Sequence, residues 1–186
     1  LDEHLIESLK NQGAAIGIWG VGTKLVTAYD QPALGGVYKL SGIRRPDGTW
    51  EPKLKLSEQA VKVSNPGILQ VRRFRSETEF LADGIYDEEL GAPSDFIVVD
   101  PLDPTRRKRL ESTTPREDLL TPVLRGGQCV CALPPLPAIR ERVRQQLSFF
   151  HAGIKRLVNP HQYPVGLELG LHERKTELIL RARGVS

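Results

Sequence analysis

The stretch Gly20-Val21-Gly22-Thr23-Lys24 is where this sequence could do chemistry. It follows the apolar run Ala15-Ile16-Gly17-Ile18-Trp19 and leads into Leu25-Val26-Thr27. Glycines let backbone N–H groups come close to a phosphate, and the free amides of a following helical turn point at it. Thr23 adds a hydroxyl donor. Lys24 adds charge if its side chain turns inward and none if it points to solvent. The Gly-x-x-x-x-Gly-Lys frame of a P-loop is absent, and Lys24 and Leu25 follow where a dinucleotide fingerprint wants x-x-Gly. Read by itself, Gly20-x-Gly22-Thr23 fits either an anion cradle or a tight turn. Gly35-Gly36 further on fits a second close approach or simply a change of direction.

The other chemistry-bearing groups have plainer readings. Thr105-Arg106-Arg107-Lys108-Arg109 is a dense basic run. With Pro101 and Pro104 before it and no aromatic interleaved, it reads as a solvated loop rather than a grip on nucleic acid or polyphosphate. His4, His151, His161 and His172 are scattered without ligand spacing, which suits surface, capping or packing roles. Asp95, Asp100 and Asp103 are irregularly spaced beside prolines and read as turn residues rather than a metal site. Cys129 and Cys131 would share one face of a strand, where a disulfide would strain the backbone. Buried, reduced thiols are the expectation, in keeping with a cytoplasmic location. Two thiols alone make no zinc site.

The elements that must position the glycine loop are legible around it. Asp2 to Gln12 has Leu5, Ile6 and Leu9 at helical spacing and acids in the first turn, where the helix dipole favours them. Gly13 ends that helix. Ala15 to Trp19 is apolar on both faces, as a buried parallel strand is. Helix, short loop, apolar strand and glycine loop form the grammar of an α/β unit. Strands are expected over Gly36–Ile43 and Trp50–Leu56, with Arg45-Pro46-Asp47-Gly48 as the turn between them. Further strands are expected over Ile68–Arg75, Glu79–Ala82, Phe96–Val99 and Gln128–Leu133. After Pro134-Pro135, Ile139, Val143, Leu147 and Phe150 recur at helical spacing and read as a core stripe. A last helix is expected from about Leu167 to Arg183.

The whole chain has 186 residues, 39% of them hydrophobic and 26% charged, an ordinary balance for a globular chain with one good core. A net charge of +3 is too small to argue for nucleic acid. No apolar run approaches membrane-spanning length. The chain opens at Leu1-Asp2-Glu3 and has no methionine, so it is expected to be a piece of something longer.

Taken at greater length, the stretch from Gly20 to Thr27, followed by Asp30-Gln31-Pro32-Ala33-Leu34-Gly35-Gly36-Val37-Tyr38-Lys39-Leu40, resembles the nicotinate phosphoribosyltransferase family. Lys55-Leu56-Ser57-Glu58, the segment from Lys62 to Gly67 and the segment from Asn159 to Val165 are similar to that family too. The resemblance is weakest between Glu77 and Gln128. It implies the C-terminal part of an irregular α/β barrel, then an antiparallel β-rich region and C-terminal helices. The corresponding division is 1–35, 36–134 and 135–186. It implies a 5′-phosphate site at Gly20, Gly22 and Thr23. The implied reaction joins nicotinate to phosphoribosyl pyrophosphate and releases pyrophosphate, with magnesium, coupled ATP hydrolysis, a homodimer, and neither nucleic acid nor membrane. The phosphorylated histidine, the nicotinate-pairing arginine and the ring-stacking aromatic of the family have no counterpart here. A non-catalytic phosphoribosyl-phosphate binder, or a sister transferase acting on nicotinamide or quinolinate, stands as the alternative.

Overall fold

A computed structural model describes residues 1–33 and 35–185. Leu34, inside the family-like stretch, lies outside the described residues. Helix α1 (Glu3–Asn11) starts at Asp2, whose carboxylate caps the Leu5 amide, and it is followed by a four-residue turn of helix, α2 (Thr23–Val26). Two short strands, β1 (Gly42–Arg44) and β2 (Trp50–Pro52), pair antiparallel around the expected Arg45–Gly48 turn, where Asp47 accepts from the amide and hydroxyl of Thr49. Gly48 takes φ +88°, a conformation that favours glycine. Both strands are shorter than their apolar pattern suggests.

The main body is a six-stranded sheet in the order β6-β5-β10-β4-β3-β7. Its strands are β3 (Leu69–Arg75), β4 (Phe80–Asp87), β5 (Phe96–Val99), β6 (Arg107–Leu110), β7 (Arg116–Asp118) and β10 (Val165–Glu168). A small hairpin of β8 (Leu124–Arg125) and β9 (Gln128–Cys129) precedes helix α3 (Leu136–Ser148), and helix α4 (Leu169–Ala182) follows β10. The sheet is not uniformly antiparallel: β10 runs parallel to β4 and antiparallel to β5. Insertion of β10 puts a strand in the segment expected to be helical from residue 135. It also moves the start of the last helix from Leu167 to Leu169, where the Glu168 carboxylate caps the amides of Gly170 and Leu171.

One face of the sheet buries Phe74, Ala82, Tyr86, Phe96, Val98 and Leu110 as a single cluster. Phe96 stands at its centre, 5.0 Å from the Phe74 ring and edge-on to Tyr86 at 6.1 Å. Gly84 is required beneath it, because a Cβ there would enter the Phe96 ring. On β10, a Cβ at Gly166 would enter the Val99 carbonyl, so glycine lets this strand seat against β5. Helix α4 closes over β4, β5 and β10 and buries Leu171.

Five expectations are corrected here. Ala15 to Trp19 forms no strand and pairs with nothing among the described residues; Ile18 is 90% exposed. An extended segment apolar on both faces needs a strand on each side, and neither comes from this chain. The stripe of Ile139, Val143 and Leu147 on α3 is exposed rather than core. The helix is tied down at its C-terminal end, where Gln146 accepts from Arg73 and Phe149 and Phe150 pack around Phe80, each at 5.1 Å. The expected strand from Gln128 to Leu133 ends at Cys129, and Cys129 is exposed with Cys131 half-exposed, because no layer covers the β8–β9 hairpin. Part of the basic run is strand β6 rather than loop, since Arg107 to Leu110 complete the edge of the sheet against β5. Its cations are engaged locally: Lys108 donates to the Leu81 carbonyl, Arg107 to that of Pro104, and Arg109 pairs with Asp95. Finally, the Glu79–Ala82 strand extends to Asp87, as polar Asp83 and Asp87 gain partners inside the fold.

Asp87 is the buried charge that fixes this body. Its side chain is 0% exposed and pairs with Arg174 of α4, while its oxygens also accept from the amides of Ile68 and Glu89. Truncating Arg174 strands that carboxylate, at a cost of about 3 kcal/mol. For a protein of this size, R174A should therefore melt roughly 6–12 °C below the parent by circular dichroism. A shift below about 2 °C would show that Asp87 does not need the pairing.

Candidate functional site

The residues singled out as an anion cradle lie together on one exposed loop. Gly22 is the N-cap of α2, with φ −98° and ψ −109°. Its carbonyl accepts from the amides of Leu25 and Val26, closing the turn from beneath. The amides of Gly22, Thr23 and Lys24 donate to no described acceptor, as expected for the first turn of a helix. The Thr23 hydroxyl has no described partner either; it is the Thr23 carbonyl that is used, by the Thr27 hydroxyl at 2.7 Å. Gly20, Gly22 and Thr23 are all exposed.

The glycines themselves are informative. Neither Gly20 nor Gly22 has the positive φ that reserves a position for glycine, and a Cβ on either would meet nothing of this chain within 4 Å. Gly35 is different: φ +61° explains it as a turn residue. The sign of φ therefore accounts for Gly35, and does not by itself account for Gly20 or Gly22.

Lys24 is exposed, yet its ammonium is committed to a partner. Its ammonium donates to Asp2 at 2.6 Å and lies 5.3 Å from the centre of the Tyr29 ring. Asp2 thus serves two elements, capping α1 with one oxygen and holding α2 with the other. Beside this pair, Val21, Leu25, Ala28 and Tyr29 line a cleft of about 440 Å³, but Gly20, Gly22 and Thr23 do not wall it. The cleft and the row of free amides are separate features.

A second polar centre went unseen in the sequence. Arg73 grips both oxygens of Asp83, at 2.9 and 2.7 Å, and donates to Gln146 at 3.1 Å. The Tyr163 hydroxyl donates to the same carboxylate at 2.9 Å. Burial, then the Asp83 charge, pushes the Tyr163 hydroxyl well above the usual phenol range. This network fastens the family-like segment from Asn159 to Val165 to β3 and β4. Both Asp83 oxygens and three Arg73 nitrogens are occupied, so its role is structural. His161 stacks on His151 at 6.3 Å with Gly153 between them, a packing role. Asp100 and Asp103 accept from amides two residues ahead, as turn residues do.

The Lys24 ammonium, then the Leu5 amide, hold the Asp2 carboxyl down at about 2 from its ordinary 3.8. Because the value in the fold is depressed, what this contact contributes is present above the ordinary value and is lost as pH falls through about 2. In K24M the Asp2 carboxyl should titrate higher than in the parent yet still below its ordinary value, because the Leu5 amide remains, as followed by carboxyl-carbon NMR. An unchanged titration would separate Asp2 from Lys24.

Comparison with known proteins gives the chain its place. The family model described as the nicotinate phosphoribosyltransferase C-terminal domain matches residues 69–175, which takes in the whole six-stranded sheet and the first half of α4. The nicotinate phosphoribosyltransferase of Bacillus subtilis is 36% identical over 183 residues, covering 96% of this chain and 37% of that protein. A span of that extent includes the loop at residues 20–23. The human protein of the same name is 31% identical over 172 residues, covering 90% of this chain and 30% of its own length. A crystal structure of human nicotinic acid phosphoribosyltransferase superposes with a TM-score of 0.61 at 26% identity, over 79% of this chain and 27% of that one. The chain spans about a third of the length of the relatives it matches. With the matched sheet making up the body of the fold, this chain belongs to the nicotinate phosphoribosyltransferase family and carries its C-terminal domain.

Proposed function

We propose that this chain is the C-terminal part of a nicotinate phosphoribosyltransferase and that Gly20, Gly22 and Thr23 hold the 5′-phosphate of phosphoribosyl pyrophosphate. The observation that carries the reading is the combination at one loop: a row of free amides, a free hydroxyl, and glycines that neither φ nor packing requires. A phosphate accepts from all of these donors and occupies the space that side chains at residues 20 and 22 would fill. Family membership supplies the substrate.

In this reading the loop positions and does not react. The ribosyl carbon turns cation-like as pyrophosphate departs, while the 5′-phosphate stays fixed. Holding it orients the sugar for attack by the nicotinate nitrogen. Lys24, committed to Asp2, stiffens the loop from behind rather than touching phosphate. The apolar segment Ala15–Trp19 supports the further proposal that residues 1–35 form the last helix–strand unit of an irregular α/β barrel, whose neighbouring strands come from outside this chain. Magnesium and ATP are proposed as co-reactants, and a cytoplasmic homodimer as the working form, on family resemblance. Among the described residues no group of three or more His, Cys, Asp or Glu gathers as a metal cage, and no residue of this chain is assigned to either co-reactant.

The test is Thr23→Val in the full-length enzyme, which removes the donor and keeps the shape. A hydrogen bond to a charged group is worth about 1.5–3 kcal/mol. The Michaelis constant for phosphoribosyl pyrophosphate should therefore rise roughly tenfold or more, with that for nicotinate unchanged. Unaltered constants for both substrates would remove Thr23 from the site.

A further inference from the structure

The β8–β9 hairpin carries a feature that phosphoribosyl transfer does not use. Gly126 and Gly127 make its turn with φ +54° and +77°, and the ladder continues past the strands through the Val130 amide to the Val123 carbonyl at 2.9 Å. Cys129 ends β9 and Cys131 stands at the bend that follows, with the two thiols on the same side. The two sulfurs lie 3.8 Å apart, and the Cys129 thiol leans along the strand toward the Cys131 carbonyl at 3.5 Å. Both thiols are free; Cys129 is exposed and Cys131 half-exposed.

We propose that Cys129 and Cys131 form a vicinal-dithiol site that chelates one thiophilic atom, with trivalent arsenic as its best-fitting class of ligand. The two sulfurs stand in van der Waals contact at 3.8 Å, and small rotations of two side chains about their Cα–Cβ bonds bring both onto one pyramidal arsenic. A disulfide needs them at about 2.05 Å, so the two thiols are unbonded and both are available. No third His, Cys, Asp or Glu completes a metal cage among the described residues. That favours a centre satisfied by two sulfurs and one substituent of its own. An organoarsenic(III) oxide meets this need: two As–S bonds form, the As=O bond is lost, and the oxygen leaves as water with both thiol protons. Arsenic stays trivalent throughout, so neither oxidant nor reductant is needed. The proposal stands independently of the phosphate reading.

The probe is phenylarsine oxide, added to the full-length protein and followed by intact mass. The C129S/C131S double variant sets the background from any other thiols. Serine is close to cysteine in size and the pair is not buried, so the variants should keep the parent circular dichroism spectrum. The parent should take up one phenylarsenic more than the double variant. That adduct should survive excess glutathione, a monothiol, and be removed by dithiothreitol, a dithiol. C129S and C131S should each hold the probe roughly 100-fold less tightly, because the second As–S bond forms at high effective concentration only when both thiols are present. Loss of the parent adduct to glutathione as readily as from the single variants would overturn the proposal. So would uptake of two phenylarsenics at the pair, or isolation of the parent with the two sulfurs already joined.

Discussion

A buried carboxylate organises the folded body. Asp87 sits at the end of β4 with no exposed side-chain surface, and an anion there persists only if every oxygen is answered. Arg174 answers from α4, and the amides of Ile68 and Glu89 answer from the chain on either side. The carboxylate also dictates its neighbour: Gly67 has φ +101°, and a Cβ there would collide with the Asp87 side chain. The Gly67 amide in turn donates to the Ser41 carbonyl at 2.7 Å, which ties the β1–β2 hairpin to the sheet. Lys175, one residue beyond Arg174, reaches the Val63 carbonyl and the Asn65 side chain. Burial lowers the Lys175 ammonium below the usual lysine range, so these acceptors matter to keeping it charged. The family-like segment from Lys62 to Gly67 is therefore a clamp between hairpin and helix rather than a binding loop.

The candidate phosphate loop is built on the opposite principle. The sheet answers its buried polar groups internally, whereas the loop leaves three amides and a hydroxyl open. The Asp2–Lys24 tie joins the two short helices and takes Lys24 away from the crown of the loop. Among the described residues, what the loop offers an anion is backbone dipoles. That arrangement suits a group that must be held and not transformed.

Much of this was legible in advance. Asp2 and the Leu5-Ile6-Leu9 spacing gave away α1, the Arg45–Gly48 turn gave away the first hairpin, and Phe96–Val99 matched its strand to the residue. The loop proposed to hold phosphate stood out because two glycines and a threonine after an apolar run form a local signal. What stayed hidden depends on distant partners. Strand β10 reads like the start of a helix because Leu167 and Leu171 are helically spaced, yet Gly166 fits it against Val99 and Glu168 stops it. The charge-rich run Arg107–Leu110 disguises an edge strand, whose pairing with β5 no local pattern announces. The Arg73–Asp83–Tyr163 and Asp87–Arg174 pairings join residues between 10 and 87 positions apart. The apolar segment Ala15–Trp19 was misread for a related reason: apolar character marks what a segment can bury, and the partner has to be present.

The central claim is that Gly20 and Gly22 are kept for something the chain itself does not contain. Gly20 offers the cleanest measurement, since a Cβ there meets nothing among the described residues of this chain and its φ is not in the left-handed region. Binding of ribose 5-phosphate to the full-length enzyme and to its Gly20→Val variant, by titration calorimetry alongside thermal melting, separates the two roles. The account gives an unchanged melting temperature with affinity reduced roughly tenfold or more, the loss of at least one charge-assisted hydrogen bond. Equal affinity in the two proteins, or unfolding of the variant, would contradict it.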